Sequence, residues 1–245
     1  MTRITAALAL TAVAACAAAQ DYEREKRWAA EVVPNLVVGD AVQLKLPSGR
    51  EFLGLFTERR DAPAAVLLVH GVGVHPDHGI IGILRVALAD MGFATLSIQM
   101  PVQKSDATLD DYYPTVFPEA VERIRAAGQW LEARGHRRIV LLGHSMGTWM
   151  ANVYYEKTAD SPFRGWISLG LTGGFGGMAN VRVPVLDVYA ENDLPPVLRA
   201  DGRRRATLAA IPGSRQVRIA GTDHHYTGKE AELAAAIRDF LATLK

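Results

Sequence analysis

Two apolar patterns succeed one another along this chain. In Ala41-Val42-Gln43-Leu44-Lys45-Leu46 apolar and polar positions alternate, Pro47-Ser48-Gly49-Arg50 interrupts them, and Glu51–Thr57 runs back. Alternation with a period of two around a Pro/Gly turn predicts a hairpin with one exposed face. From Ala64 the apolar positions instead form short unbroken runs at 64–69, 93–98, 138–142, 165–169, 183–189 and 216–219. Such runs predict strands buried on both faces. Helical spacing between them predicts helices over 80–91, 115–134, 145–157, 195–211 and 228–244. A hairpin followed by six parallel strands with helices between most of them predicts an α/β domain with an eight-stranded, mostly parallel sheet covered by helices on both faces. The glycine-rich stretch between Leu171 and Val181 is too short for a lid domain. The site should therefore be open, shaded only by the loops around 75–79 and 101–117.

The start of the chain follows neither pattern. After Arg3, residues 4–15 are almost wholly apolar and alanine-rich, too short to cross a bilayer and typical of an export leader. Two ends to the leader are open. Ala17-Ala18-Ala19 before Gln20 is a small-residue cleavage site, and Val13-Ala14-Ala15-Cys16 resembles a bacterial lipobox in which Cys16 is lipidated and anchors the protein to a membrane. Either end predicts a periplasmic or envelope protein. The expected organisation is a leader over 1–19, a charged segment over 20–40 acting as a tether or surface helix, and the α/β domain over 41–245.

Composition narrows the classes. Cys16 is the only cysteine, so a mature chain has neither an internal disulfide nor a thiolate metal site. Lysine plus arginine (27) nearly balances aspartate plus glutamate (26), which argues against nucleic acid as a partner. The spacing of His70, His75 and His78 matches no helical ligand pair, and adjacent side chains at His224 and His225 diverge, so no metal or other cofactor is expected.

The chemistry is concentrated in Gly143-His144-Ser145-Met146-Gly147, which follows the run 138–142 and leads into a helical segment. Strand, glycine-flanked serine and helix together describe a nucleophile elbow, which exposes a serine hydroxyl at a helix N-terminus. A serine needs a base to remove its proton and an acid to orient that base. Asp193, in the loop after 183–189, is the expected acid; Glu191 is a weaker candidate, and Asp187 is a structural partner or fallback acid. The base comes from Gly221-Thr222-Asp223-His224-His225-Tyr226, with His224 preferred and His225 the alternative. The N–H groups of Met146 and Val72 are the expected oxyanion donors. His70 is expected to buttress the loop 70–73, and His70, His144, Tyr112 and Tyr113 are candidates for lining the site. Phe117, Trp149, Met150 and Met178 are further aromatic and sulfur side chains near it.

With these motifs the chain resembles the α/β-hydrolase superfamily. His70-Gly71-Val72-Gly73-Val74-His75-Pro76-Asp77, Leu96-Ser97-Ile98-Gln99-Met100-Pro101 and Ala190-Glu191-Asn192-Asp193-Leu194-Pro195 resemble the uncharacterised bacterial family DUF3530. The block Gly221–Gly228 resembles the histidine loop of dienelactone-hydrolase-like proteins. The resemblance implies the fold and serine-hydrolase activity without a substrate. Dienelactone hydrolases carry a cysteine nucleophile where this chain has Ser145, which tilts the chemistry toward esters, thioesters or amides. The expected function is an exported serine hydrolase that cleaves a carboxylic ester or thioester of a small-molecule substrate through an acyl-enzyme. The alternatives are a catalytically silent envelope binding protein on the same fold, and an acyltransferase or peptidase.

Overall fold

A computed structural model of the protein describes residues 20–176 and 180–244. Residues 1–19 with Cys16, residues 177–179 with Met178, and the side chains of Tyr113 and Pro114 lie outside the described residues. Eight strands form one sheet: β1 (Asp40–Lys45), β2 (Glu51–Thr57), β3 (Ala65–Val69), β4 (Ala94–Ile98), β5 (Ile139–His144), β6 (Phe163–Leu169), β7 (Val185–Asn192) and β8 (Arg215–Asp223). Their order is β1-β2-β4-β3-β5-β6-β7-β8. The β1–β2 hairpin pairs antiparallel to β4, and every later pairing is parallel. This is the α/β-hydrolase fold, with no lid domain among the described residues.

Successive side chains of a strand point to opposite faces, and here both faces are covered. Ile139 and Leu141 of β5 join a core with α3 (Leu109–Ala133) and α4 (Met146–Lys157), whereas Val140 and Leu142 join a core with α2 (Gly79–Asp90) and α7 (Glu230–Leu241). That double burial produces the unbroken apolar runs. Two helices differ from the sequence expectation. α3 starts six residues before 115, because Asp111 accepts the Thr108 N–H (2.7 Å) and hydroxyl (2.9 Å) and closes a first turn ahead of Pro114. The helix expected over 195–211 is two pieces, α5 (Pro195–Arg199) and α6 (Asp201–Leu208), which meet at Ala200.

The charged segment after Gln20 forms a helix, α1 (Tyr22–Val32), which packs on the domain. Its Glu25 pairs with the fully buried Arg123 of α3 at 3.0 Å.

Candidate active site

Three strand ends converge on the carboxyl edge of the sheet. β5 delivers Ser145, which sits between strand and helix with φ +55° and ψ −123°, a conformation strained for any residue with a Cβ. Its neighbours hold it there: the Ser145 N–H donates to Leu169 O of β6 at 2.8 Å, and its carbonyl accepts from Thr148 N at 3.1 Å. The flanking glycines are needed for close approach. A Cβ on Gly143 would lie 2.6 Å from the Thr148 nitrogen, and one on Gly147 would overlap the carbonyl oxygens of Val69 and His70.

β7 and β8 run further than their apolar cores. A bulge between Ala190 and Asn192 sets Asn192 opposite Asp223, so the next residue of each strand, Asp193 and His224, meet at the edge. His224 Nε2 lies 2.9 Å from Ser145 Oγ, and its Nδ1 lies 2.5 Å from Asp193 Oδ1. Asp193 also accepts from the N–H groups of Ala190 (3.0 Å) and Leu194 (2.8 Å). Burial pushes the Asp193 carboxyl up, but the His224 hydrogen bond and those backbone donors outweigh it and hold the group below the ordinary carboxylate range. The three candidates Ser145, His224 and Asp193 therefore share one hydrogen-bonded chain. His225 does not join it: its N–H is tied to Asp223 Oδ1 at 3.0 Å, and the residue faces the cavity at the serine. Glu191 turns away to Arg218 and the Gly221 N–H. Asp187 lies in β7 against Arg204 at 2.8 Å, a structural pairing.

Two further residues hold the histidine loop, and sequence reasoning gave them no role. Tyr226 has φ +57°, is fully buried, and its hydroxyl donates to Val188 O at 3.0 Å. Gly170, at the end of β6, leaves room for His224, since a Cβ there would lie 2.7 Å from His224 Cε1. A glycine directly after a strand neighbouring the nucleophile strand was the available signal. His144, buried beneath the loop, donates from Nε2 to the His224 carbonyl at 2.9 Å and also borders the cavity.

Met146 is the first residue of α4, so its N–H has no carbonyl one turn before it to bond. The loop after β3 passes beside the serine, where a Cβ on Gly71 would lie 3.4 Å from that of Ser145. His70 is expected at the site, but it lies fully buried behind this loop and not in the cavity wall. Its Nδ1–H donates to Gly71 O at 2.8 Å while Nε2 accepts the Met100 N–H at 2.9 Å. Gly71 C=O and Val72 N–H belong to one peptide plane, so the His70 hydrogen bond also orients the Val72 N–H. Tyr112 is likewise a buried support rather than a lining residue: its hydroxyl accepts from Gln103 N at 3.2 Å. Phe117 and Trp149 pack edge to face in the α3–α4 core, at 5.5 Å between centroids.

The cavity at Ser145 has a volume of about 350 Å³ and opens toward α2 and α7, away from the aromatic residues of α3. Val72, Val74, Ile80 and Ile83 form its apolar wall, with His78, His225 and Glu230 at its polar margin. The loop around 75–79 borders it as expected, whereas none of its lining comes from 101–117. The exposed Ile83 on an otherwise core-facing helix (46 % accessible) was the sequence's unread sign of this wall. Among the described residues, no group of three His, Cys, Asp or Glu side chains is placed to hold a metal ion.

The buried histidines make stability depend on pH. Burial pushes His70 down to about 3 and His144 down to about 4, from an ordinary 6.5. Both rings are neutral in the fold, so below pH 6.5 the unfolded chain binds more protons than the folded one. Stability is full above 6.5 and falls as pH drops, through about 4 for His144 and about 3 for His70. Each ring contributes roughly 1.4 kcal/mol per pH unit inside its window. Thermal melts should show a midpoint that is flat above neutrality and declines from pH 6.5 to 5; an unchanged midpoint over that interval contradicts the assignment of two neutral rings.

Fold and site together define an α/β-hydrolase scaffold carrying a serine, histidine and aspartate in hydrogen-bonding order. The family described as protein of unknown function (DUF3530) matches residues 3–119, the part of the chain that ends before the elbow. No curated protein matches the chain. Among solved structures, a dienelactone hydrolase from Anabaena variabilis is 20% identical with a TM-score of 0.68, the match covering 83% of this chain and 96% of that one. An esterase from Pyrococcus furiosus is 14% identical with a TM-score of 0.66, over 87% and 94% of the two chains. A serine hydrolase without a lid from Xanthomonas campestris is 18% identical with a TM-score of 0.63, over 84% and 94%. At such identities the likeness establishes the fold alone.

Proposed function

We propose that the protein is a serine hydrolase that cleaves small carboxylic esters or thioesters through an acyl-enzyme. The reading rests on one observation, the unbroken chain from Ser145 Oγ through His224 to Asp193. Ser145 Oγ attacks the substrate carbonyl carbon while His224 Nε2 takes its proton. The carbonyl electron pair moves onto oxygen, where the N–H groups of Met146 and Val72 stabilise it. The bond to the alcohol or thiol then breaks, and His224 returns the proton to that leaving group. Water, deprotonated by the same ring, attacks the acyl-serine, and collapse releases the acid as His224 returns that proton to Ser145 Oγ. Asp193, held ionised, keeps Nδ1 protonated and stabilises the imidazolium formed at each step.

The cavity supports a short, uncharged acyl or alcohol group. Its wall is aliphatic, and its described lining includes no lysine or arginine to receive an anionic substituent. Labelling with an active-site fluorophosphonate tests the reading. The native protein should label and Ser145→Ala should not, and turnover of p-nitrophenyl esters should fall as the acyl chain outgrows the cavity. A well-folded native protein that neither labels nor turns over esters would sink the proposal and favour a silent binding protein.

A further inference from the structure

The helix α1 precedes the first strand and contributes nothing to the sheet, yet three of its residues bear on the loop behind the serine. Arg24 donates from Nη2 to Gly73 O at 3.0 Å and from Nη1 to Gln103 O at 2.9 Å. Its guanidinium lies over the Trp28 ring at 4.6 Å, and that ring meets His75 with 5.8 Å between centroids. Glu25 holds Arg123, which donates to Gln99 O at 2.8 Å. The Gln99 amide in turn reaches Val74 O at 3.3 Å and His70 Nε2 at 3.1 Å. The helix start is fixed as well: Asp21 N–H donates to Val102 O at 2.8 Å, and the Asp21 carboxylate caps Arg24 N at 2.9 Å.

The loop is thus pinned at three carbonyls on either side of Val72. His70 holds Gly71, α1 holds Gly73 directly, and α1 holds Val74 through Arg123 and Gln99. Val72, whose N–H is the loop's oxyanion donor, lies between the first two. Gly73 has φ +66°, which turns its carbonyl out of the β3 direction and toward α1. Without Arg24 that carbonyl loses its partner, and the turn loses the constraint on its outer side.

We propose that α1 is a clamp on the oxyanion loop, with Arg24 as a positioning residue for the Val72 N–H. The inference rests on the serine-hydrolase reading. An oxyanion donor acts only when it lies at hydrogen-bond distance from the developing charge, and a displacement of an ångström is enough to weaken it severely. Arginine suits the position because its planar fork bonds two carbonyls at once, which a lysine ammonium on its flexible stem does not reproduce.

The test compares native protein, Arg24→Ala, Arg24→Lys and Lys26→Ala, the last being a solvent-facing partner of Glu23 on the same helix. Steady-state kinetics on a p-nitrophenyl ester are read beside inhibition by a trifluoromethyl ketone, whose hemiketal oxyanion occupies the same position as the substrate's. Arg24→Ala should lower kcat about 10- to 100-fold with KM within about threefold, and weaken the ketone in parallel with kcat/KM. Arg24→Lys should recover only part of the loss, and Lys26→Ala should match the native protein. Melting curves separate a positioning role from a merely structural one. If Arg24→Ala melts early but keeps native kcat and ketone affinity at low temperature, the clamp is disproved. Should Arg24→Ala fail to fold, Arg24→Lys carries the same readouts, and native values in it overturn the proposal. An active, labelled native enzyme beside an unchanged Arg24→Ala removes this inference alone. A native protein that neither turns over nor labels removes the hydrolase reading, and the clamp with it.

Discussion

On the proposed mechanism, replacing His224 with glutamine should lower kcat on an activated ester by about 10⁵-fold, whereas His225→Gln should remain within about threefold of the native protein. The two rings are adjacent in sequence and 5.6 Å apart between centroids, but only His224 reaches both Ser145 and Asp193. Glutamine preserves hydrogen-bonding capacity at position 224 but neither accepts the serine proton nor returns it to the leaving group. The loop should survive the change, because His144 bonds the backbone carbonyl of residue 224 and Tyr226 anchors the turn independently. The measurement is single-turnover and steady-state hydrolysis by both variants beside their melting curves. Comparable losses in the two, or a well-folded His224→Gln with native kcat, would show that the base is wrongly assigned.

The choice between these histidines shows where the sequence stops being informative. The parallel sheet was legible because double burial imposes an unbroken apolar run, as Val140–Leu142 and Val66–Leu68 show by alternating between the two cores. The elbow was legible because its constraints are local: Gly143, Ser145 and Gly147 each answer to a neighbour within a few residues or one strand away. Which adjacent histidine turns inward is decided by backbone features that no side-chain pattern marks, namely the bulge at Ala190/Asn192 and the positive φ of Tyr226. No periodicity encodes either. Tyr112 read as a pocket residue because it is aromatic and near the sheet edge, yet α3 starts early and carries it into the core. The cavity lies on the opposite side, where Ile83 and Glu230 border it. Gly170 is intermediate: its place in the sequence was visible, but its reason, the His224 ring, comes from another strand.

The largest stability effect should come from the other buried aspartate. Asp187 and Arg204 are both fully buried and paired at 2.8 Å, and Gln216 and Ser168 complete the carboxylate's partners at 2.9 and 3.3 Å. Arg204 also donates to the carbonyls of Leu171 and Val197, each at 3.0 Å, so it joins β7 to the loop after β6 and to α5. Burial already pushes the Asp187 carboxyl up, and Arg204 is the main influence opposing that. Removing one ion of such a pair leaves the other without a counter-charge, which costs about 3–5 kcal/mol. Arg204→Met should therefore lower the melting midpoint by roughly 10 °C, and Asp187 should take up a proton as it loses its partner. Removing both charges should cost much less, because the desolvation penalty disappears with them. The double variant Asp187→Leu/Arg204→Met should thus melt well above either single one. Far below the midpoint, each variant should keep kcat within about an order of magnitude of native, since Asp193 draws its hydrogen bonds from His224, Ala190 and Leu194 and none from this pair. A collapse of kcat in folded Asp187→Leu/Arg204→Met at low temperature would instead return Asp187 to the role of catalytic acid. A double variant no more stable than the singles would mean that the pair is worth more than the cost of burying it.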